Sequence, residues 1–168
     1  MARHMRLDAE ARREYAIVMD TGDSVMEELL AFARERELRT ASFTAIGAFS
    51  RCTLAFYDLD TKEYLGIPVE EQAEVVSLAG YVVRTGDGDW QVHAHAVLGL
   101  WDGTTRGGHL RYALVRPTLE VRLSESPRGL TRRFDPDSGL ALIDLDAGEP
   151  VTDPNPLRHG LAPATGEH

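Results

Sequence analysis

From Trp90 to Leu100 the apolar residues fall on alternate positions. Trp90, Val92, Ala94, Ala96, Leu98 and Leu100 form one set, and Gln91, His93, His95 and Val97 form the other. A period of two belongs to an extended strand whose side chains alternate between faces. One face of this strand is therefore buried, and the other carries two histidines side by side. This segment commits the chain to a β-sheet with a covered face.

Neighbouring segments extend the sheet. Residues 14–20 read as a short strand ending at the turn-like run Thr21-Gly22-Asp23. Ala41–Ile46 reads as a strand ending in Gly47-Ala48, and Cys52–Asp58 as a second, alternating one. The polar run from Asp60 to Pro68 is a connection or an edge hairpin. Residues 74–83 are apolar on both alternating sets, the pattern of a strand covered on both faces near the sheet centre. Thr85–Asp89 is a tight turn, Val115–Leu123 is half-buried with Arg116, Thr118, Glu120 and Arg122 on its polar face, and Gly139–Leu145 adds a last strand.

One segment breaks the period of two. Val25, Met26, Leu29, Leu30, Phe32 and Ala33 recur at three- and four-residue steps, which predicts a helix until about Glu37. Ser24-Val25-Met26-Glu27 has capping-box spacing at its start. One helix among many strands predicts a mixed α/β domain. At 168 residues, with no linker-like stretch in the middle, it is a single domain.

Composition narrows the function classes. The 43% hydrophobic and 27% charged content is that of an ordinary globular domain. No stretch approaches the ~20 apolar residues of a membrane helix. The basic N-terminus runs into Asp8 and Glu10 instead of a signal-peptide core, so the expected location is cytoplasmic. Cys52, the only cysteine, excludes an internal disulfide and a cysteine-rich zinc cluster, and it alternates with Leu54 and Phe56 as a buried small hydrophobe. The formal charge of −9 disfavours nucleic acid, whose nonspecific affinity comes from neutralising phosphates.

His93 and His95, two apart on a strand, project from one face close enough to share an ion. Imidazole is the commonest zinc side-chain ligand, and three protein nitrogens leave a fourth position for water or a ligand. His109 follows Gly107-Gly108, whose bare backbone allows close approach to a neighbouring strand. The pattern alone is equally compatible with a metal site and with a solvated histidine pair beside an unrelated turn histidine. His4, His159 and His168 lie in poorly patterned ends and receive no role.

The ordered motifs Ile46-Gly47-Ala48, Leu54-Ala55-Phe56-Tyr57-Asp58, Glu63-Tyr64, Glu74–Gly80, His93-Ala94-His95-Ala96-Val97-Leu98 and Gly107-Gly108-His109-Leu110 resemble the Plants and Prokaryotes Conserved (PPC) domain, over about residues 14–125. The resemblance implies an α+β domain with a curved, mainly antiparallel mixed sheet, one packed principal helix and a homotrimeric assembly. Together with the Pro-, Gly- and Ala-rich run without periodicity after about Asp146, it gives the expected boundaries: residues 1–13 for an N-terminal extension, 14–146 for the domain and 147–168 for a loosely ordered tail. It also implies a divalent metal, zinc or a similar ion, at His93, His95 and His109. Plant members accompany the domain with AT-hooks, and no such Arg-Gly-Arg-Pro element occurs in this sequence, which weakens DNA binding by analogy.

Three roles follow as expectations: metal-assisted hydrolytic or lyase-type chemistry on a small molecule, a DNA-associated regulatory module, and a metal-dependent small-ligand sensor. Glu74 and Glu120 are candidates to orient a ligand histidine or act as a general base, with an ion pair the favoured reading for Glu120. Asp102 reads as a turn residue. Tyr57 and Tyr64 read as aromatic packing against a loop rather than as pocket lining. Arg128, Arg132 and Arg133 read as a solvated basic face.

Overall fold

The computed structural model describes residues 3–6, 13–85, 88–126 and 129–144. Its elements in chain order are β1 (Arg3–Arg6), β2 (Glu14–Asp20), α1 (Val25–Arg36), β3 (Thr40–Asp58), β4 (Glu63–Val69), β5 (Ala73–Arg84), β6 (Trp90–Gly99), β7 (Thr105–Ser126), β8 (Thr131–Asp135) and β9 (Leu140–Asp144). Seven strands form one sheet in the order β1-β2-β7-β6-β5-β3-β4, and a further β7–β3 pairing closes β3, β5, β6 and β7 into a ring. The pairings described are antiparallel. Beyond the ring, β8 and β9 make a separate two-stranded hairpin. The expected tail, with His159 and His168, lies outside the described residues, as does Arg128.

The strands follow their alternation. On β6 the set Val92, Ala94, Ala96 and Leu98 is buried, and His95 and Val97 on the opposite face are exposed. β5 lies between β6 and β3 as expected, but it is not covered on both faces: Val75, Leu78 and Val82 are buried, whereas Val76 and Ala79 are exposed, because this single sheet covers only its inner side. The run 60–68 resolves as the edge hairpin that joins β3 to β4. Cys52 is buried, and desolvation, with a smaller contribution from the charge of Glu70, pushes its thiol up to about 12, so it behaves as a small hydrophobe.

Gly47 does not end a strand. β3 runs through it for 19 residues, and the chain bends there with a register irregularity against both β5 and β7. A side chain at Gly47 (φ +149°) would meet the Thr118 carbonyl oxygen at 2.2 Å, so the bend depends on glycine. Each half of β3 keeps two partners: residues 40–47 pair with β5 and β7, and residues 52–55 with β4 and β7.

Helix α1 buries Val25, Leu29, Phe32 and Ala33, with Met26 and Leu30 partly covered. Burial of each large apolar side chain contributes about 1.5–3 kcal/mol. The expected capping box does not form. Ser24 is the N-cap residue but makes no side-chain cap hydrogen bond. Its extended backbone bridges to Leu114 of β7, and its buried hydroxyl has no partner. Glu27 and Glu28 still place negative charge at the positive end of the helix dipole. At the other end Trp90 Nε1 donates to the Leu38 carbonyl at 2.7 Å, and Arg34 grips Asp89 with two hydrogen bonds of 2.9 Å. These contacts fix the start of β6 against the helix, with Trp90 three residues before His93.

Candidate metal centre

Strand pairing brings the three histidines together. His95 is the Cα partner of His109 across the β6–β7 ladder, and His93 stands two residues along on the same face as His95. The ring centroids of the three are 5.0–5.4 Å apart. One ligand atom from each lies within 4.8 Å of the other two, all within a single chain. Gly108 allows this: an added Cβ there would stand 2.8 Å from the Ala55 carbonyl oxygen, so only glycine lets β7 pass this close to β3. At Gly107 the corresponding approach, 3.4 Å, is an ordinary contact.

The donor set suits a divalent ion. His93 Nε2 and His95 Nε2 are 3.2 Å apart. Two nitrogens bound tetrahedrally at zinc distances stand about 3.3 Å apart. His93 Nδ1 lies 2.8 Å from the Tyr81 hydroxyl. With its Nδ1–H donated to that oxygen, the ring keeps the lone pair on Nε2 for a metal, the usual way a neighbouring acceptor sets the ligand tautomer. Burial, aided by the charges of Arg132 and His95, pushes His93 down to about 4. Burial and the surrounding histidines and arginines push His109 down to about 3. Both rings are therefore neutral near pH 7, the form that binds metal. The buried Nδ1 of His109 has no hydrogen-bond partner.

The histidines line a cavity of about 460 Å³ whose wall also includes Phe56, Tyr57, Tyr64, Gln91, Arg132 and Leu142. The Tyr64 ring lies 5.0 Å from the ring of His109 and 4.8 Å from that of Tyr57, so both tyrosines line the cavity while packing on each other. The β8–β9 hairpin covers one side. It is tied down by Tyr57, which donates to the Ser138 carbonyl at 2.9 Å, and by Lys62 Nζ, which donates to the Pro136 carbonyl at 2.8 Å.

Arg132 corrects the expectation of a solvated basic face. Its guanidinium lies over the Tyr81 ring, 5.5 Å from the centroid, and donates to Tyr81 Oη at 3.0 Å and Gln91 Oε1 at 2.8 Å. Arg133, next to it, points the other way and pairs with Asp144 at 3.0 Å. Adjacent residues of a strand take opposite faces, so a basic pair on a hairpin divides between cavity and solvent. Tyr81 was also missed. Its signal was positional, since it is the cross-strand partner of His93, but that register is legible only once β5 and β6 are aligned.

The carboxylates considered from sequence stand elsewhere. Glu74 and Glu120 are exposed and are not in the cavity wall. Arg122, a considered partner of Glu120, pairs with Glu14 at 3.3 Å. Asp102 is a turn residue, accepting from Thr104 N at 2.9 Å and Thr104 Oγ1 at 2.7 Å.

Comparison with known proteins shows the family and the fold. The family model of the Plants and Prokaryotes Conserved (PCC) domain, also abbreviated PPC, matches residues 6–127. No match is found among curated proteins. Among solved structures, a metal-containing protein of Archaeoglobus fulgidus is 31% identical with a TM-score of 0.73, covering 81% of this chain and 96% of its own. A plant- and prokaryote-conserved protein of Pyrococcus horikoshii is 28% identical with a TM-score of 0.73, covering 86% of this chain and 94% of its own. A protein of Bacteroides thetaiotaomicron, described as a candidate DNA-binding protein, shares the fold at 24% identity and a TM-score of 0.78, covering 86% of this chain and 99% of its own.

Proposed function

The chain belongs to the Plants and Prokaryotes Conserved domain family, and from that premise we propose that it is a metal-dependent protein acting on small molecules, with zinc held by His93, His95 and His109. The observation that carries this reading is the convergence of three histidine nitrogens within 4.8 Å at the wall of a cavity of about 460 Å³. An ion bound there supplies Lewis-acid polarisation to a ligand atom at its remaining coordination position. Tyr81 holds His93 in the ligating tautomer, and the β8–β9 hairpin limits the access of water. The reading includes a homotrimer in the cytoplasm. Exposed apolar side chains such as Val76, Val97 and Trp101 give copies of the chain surface to bury.

The test is elemental analysis of zinc-loaded protein beside a His93→Ala, His95→Ala double variant. Wild type is expected to hold about one zinc per chain and the variant almost none. Equal metal content in the two overturns the reading. Product formed from a small molecule only when zinc is present identifies chemistry, and a ligand retained unchanged identifies sensing. A second reading, DNA association, draws on the description of the Bacteroides neighbour and is opposed by the charge of −9. It predicts DNA binding by the purified protein that weakens steeply with salt.

A further inference from the structure

The acidic character of the chain stops at the cavity. The sequence has 27 Asp and Glu against 18 Lys and Arg, yet among the described residues none that lines the cavity is a carboxylate. They include Arg132, whose charge forms no ion pair with a carboxylate among the described residues. A guanidinium has five N–H donors. Gln91 Oε1 accepts from one terminal nitrogen and Tyr81 Oη from the other, which also lies 3.4 Å from His93 Nδ1, and the N–H of the buried Nε has no partner. Gln91 and Tyr81 thus hold the group in place without neutralising it. Arg132 is half-buried, and an anion beside such a partly desolvated cation gains charge-assisted hydrogen bonds that water supplies less well there.

We propose that Arg132 makes this cavity selective for a small carboxylate, whose oxygens take the guanidinium donors that the protein leaves free. This inference rests on the metal-site reading for how the ligand is oriented, and on Arg132 alone for its charge. A carboxylate with an apolar body fits better than inorganic phosphate because much of the wall around Arg132 is apolar, and phosphate has no apolar part to cover it. Phe56, Tyr57 and Leu142 in the same wall accommodate an apolar body behind the carboxylate. The selecting residue sits on β8, beyond residue 127 where the family match ends, so selectivity and metal ligation come from separate parts of the chain.

Calorimetric titration with benzoate and with its uncharged isostere benzamide tests the proposal on the intact zinc-loaded protein. Wild type is expected to bind benzoate in preference to benzamide. Arg132→Gln is expected to weaken benzoate by about tenfold or more, the usual scale for a charged hydrogen bond, with zinc content unchanged. Arg132→Lys, which keeps the charge but loses the planar fork, falls between the two. Equal binding of benzoate and benzamide to wild type overturns the proposal without recourse to any variant. So do tighter binding of inorganic phosphate, absence of benzoate binding at millimolar concentration, and benzoate affinity unchanged in Arg132→Gln. Failure of the metal reading is seen separately, as wild type that takes up no zinc. Benzoate binding to that zinc-free protein that still depends on Arg132 supports the anion site by itself.

Discussion

The closed sheet and the β8–β9 hairpin both send side chains into one cavity, but they hold them by different means. His95 and His109 are opposed across a ladder whose strands have further partners in the ring, so their separation is set by register. A slip of one residue would turn each histidine to the opposite face. Arg132 stands on a two-stranded hairpin attached by a few side-chain hydrogen bonds to β3, to β5, to β6 and to the β3–β4 turn. Isolated hairpins are marginal, so this one depends on those ties. The contrast separates a rigid part that fixes an ion from an adjustable part that chooses what meets it.

The largest effect is expected where the sheet is least tolerant. A Cβ at Gly80 would stand 2.4 Å from the His93 carbonyl oxygen and 2.9 Å from Ala94 Cα. Gly80→Ala should therefore push β6 away from β5 at the ligand residue itself, costing about 3 kcal/mol and lowering zinc retention. Chemical denaturation and metal analysis check this. Wild-type stability in the variant would mean that β6 moves freely and that the sheet is not the rigid partner.

A smaller effect is expected where the two parts meet. Tyr81→Phe removes the acceptor shared by His93 Nδ1–H and Arg132 while keeping the ring. Zinc affinity, measured by competition with a chromogenic chelator, should fall by about tenfold. Unchanged affinity would remove Tyr81 from the account of how His93 is oriented. The smallest effect belongs to the hairpin alone. Lys62→Met deletes the donor to Pro136 and should cost about 0.5 kcal/mol. Amide exchange should then quicken in β8 and β9 and stay unchanged in β5 and β6. Uniform quickening across the sheet would erase the distinction between the two regions.

The same division governs what could be read from sequence. Strand β2 spans residues 14–20 as its pattern requires, and the buried and exposed faces of β6 follow the alternation of Trp90–Leu100. His93 and His95 share a face by that rule alone, whereas His109 needed the family resemblance, because strand partners are set by topology rather than by spacing. Gly47 was misleading because glycine marks both the end of a strand and a bend within one. Ser24 carries the residue type of a capping box, but its backbone is engaged by Leu114. Arg132 was illegible because a charged residue in a polar stretch is ordinarily solvated. Its inward turn depends on Gln91 and Tyr81, 41 and 51 positions away.

Strand β7 pairs with β2, β3 and β6, and its register joins Glu14 to Ser124. A polypeptide emerging from the ribosome can form the β1–β2, β3–β4 and β5–β6 hairpins early, but the ring cannot close until β7, which starts at Thr105, has been made. Until then β2 and β6 expose backbone edges that invite pairing with other chains. Closure also joins segments of high sequence separation, which slows folding. The strand that carries His109 is thus the last of the ring to be synthesised, and the three-histidine cluster is absent from any nascent chain that stops short of it.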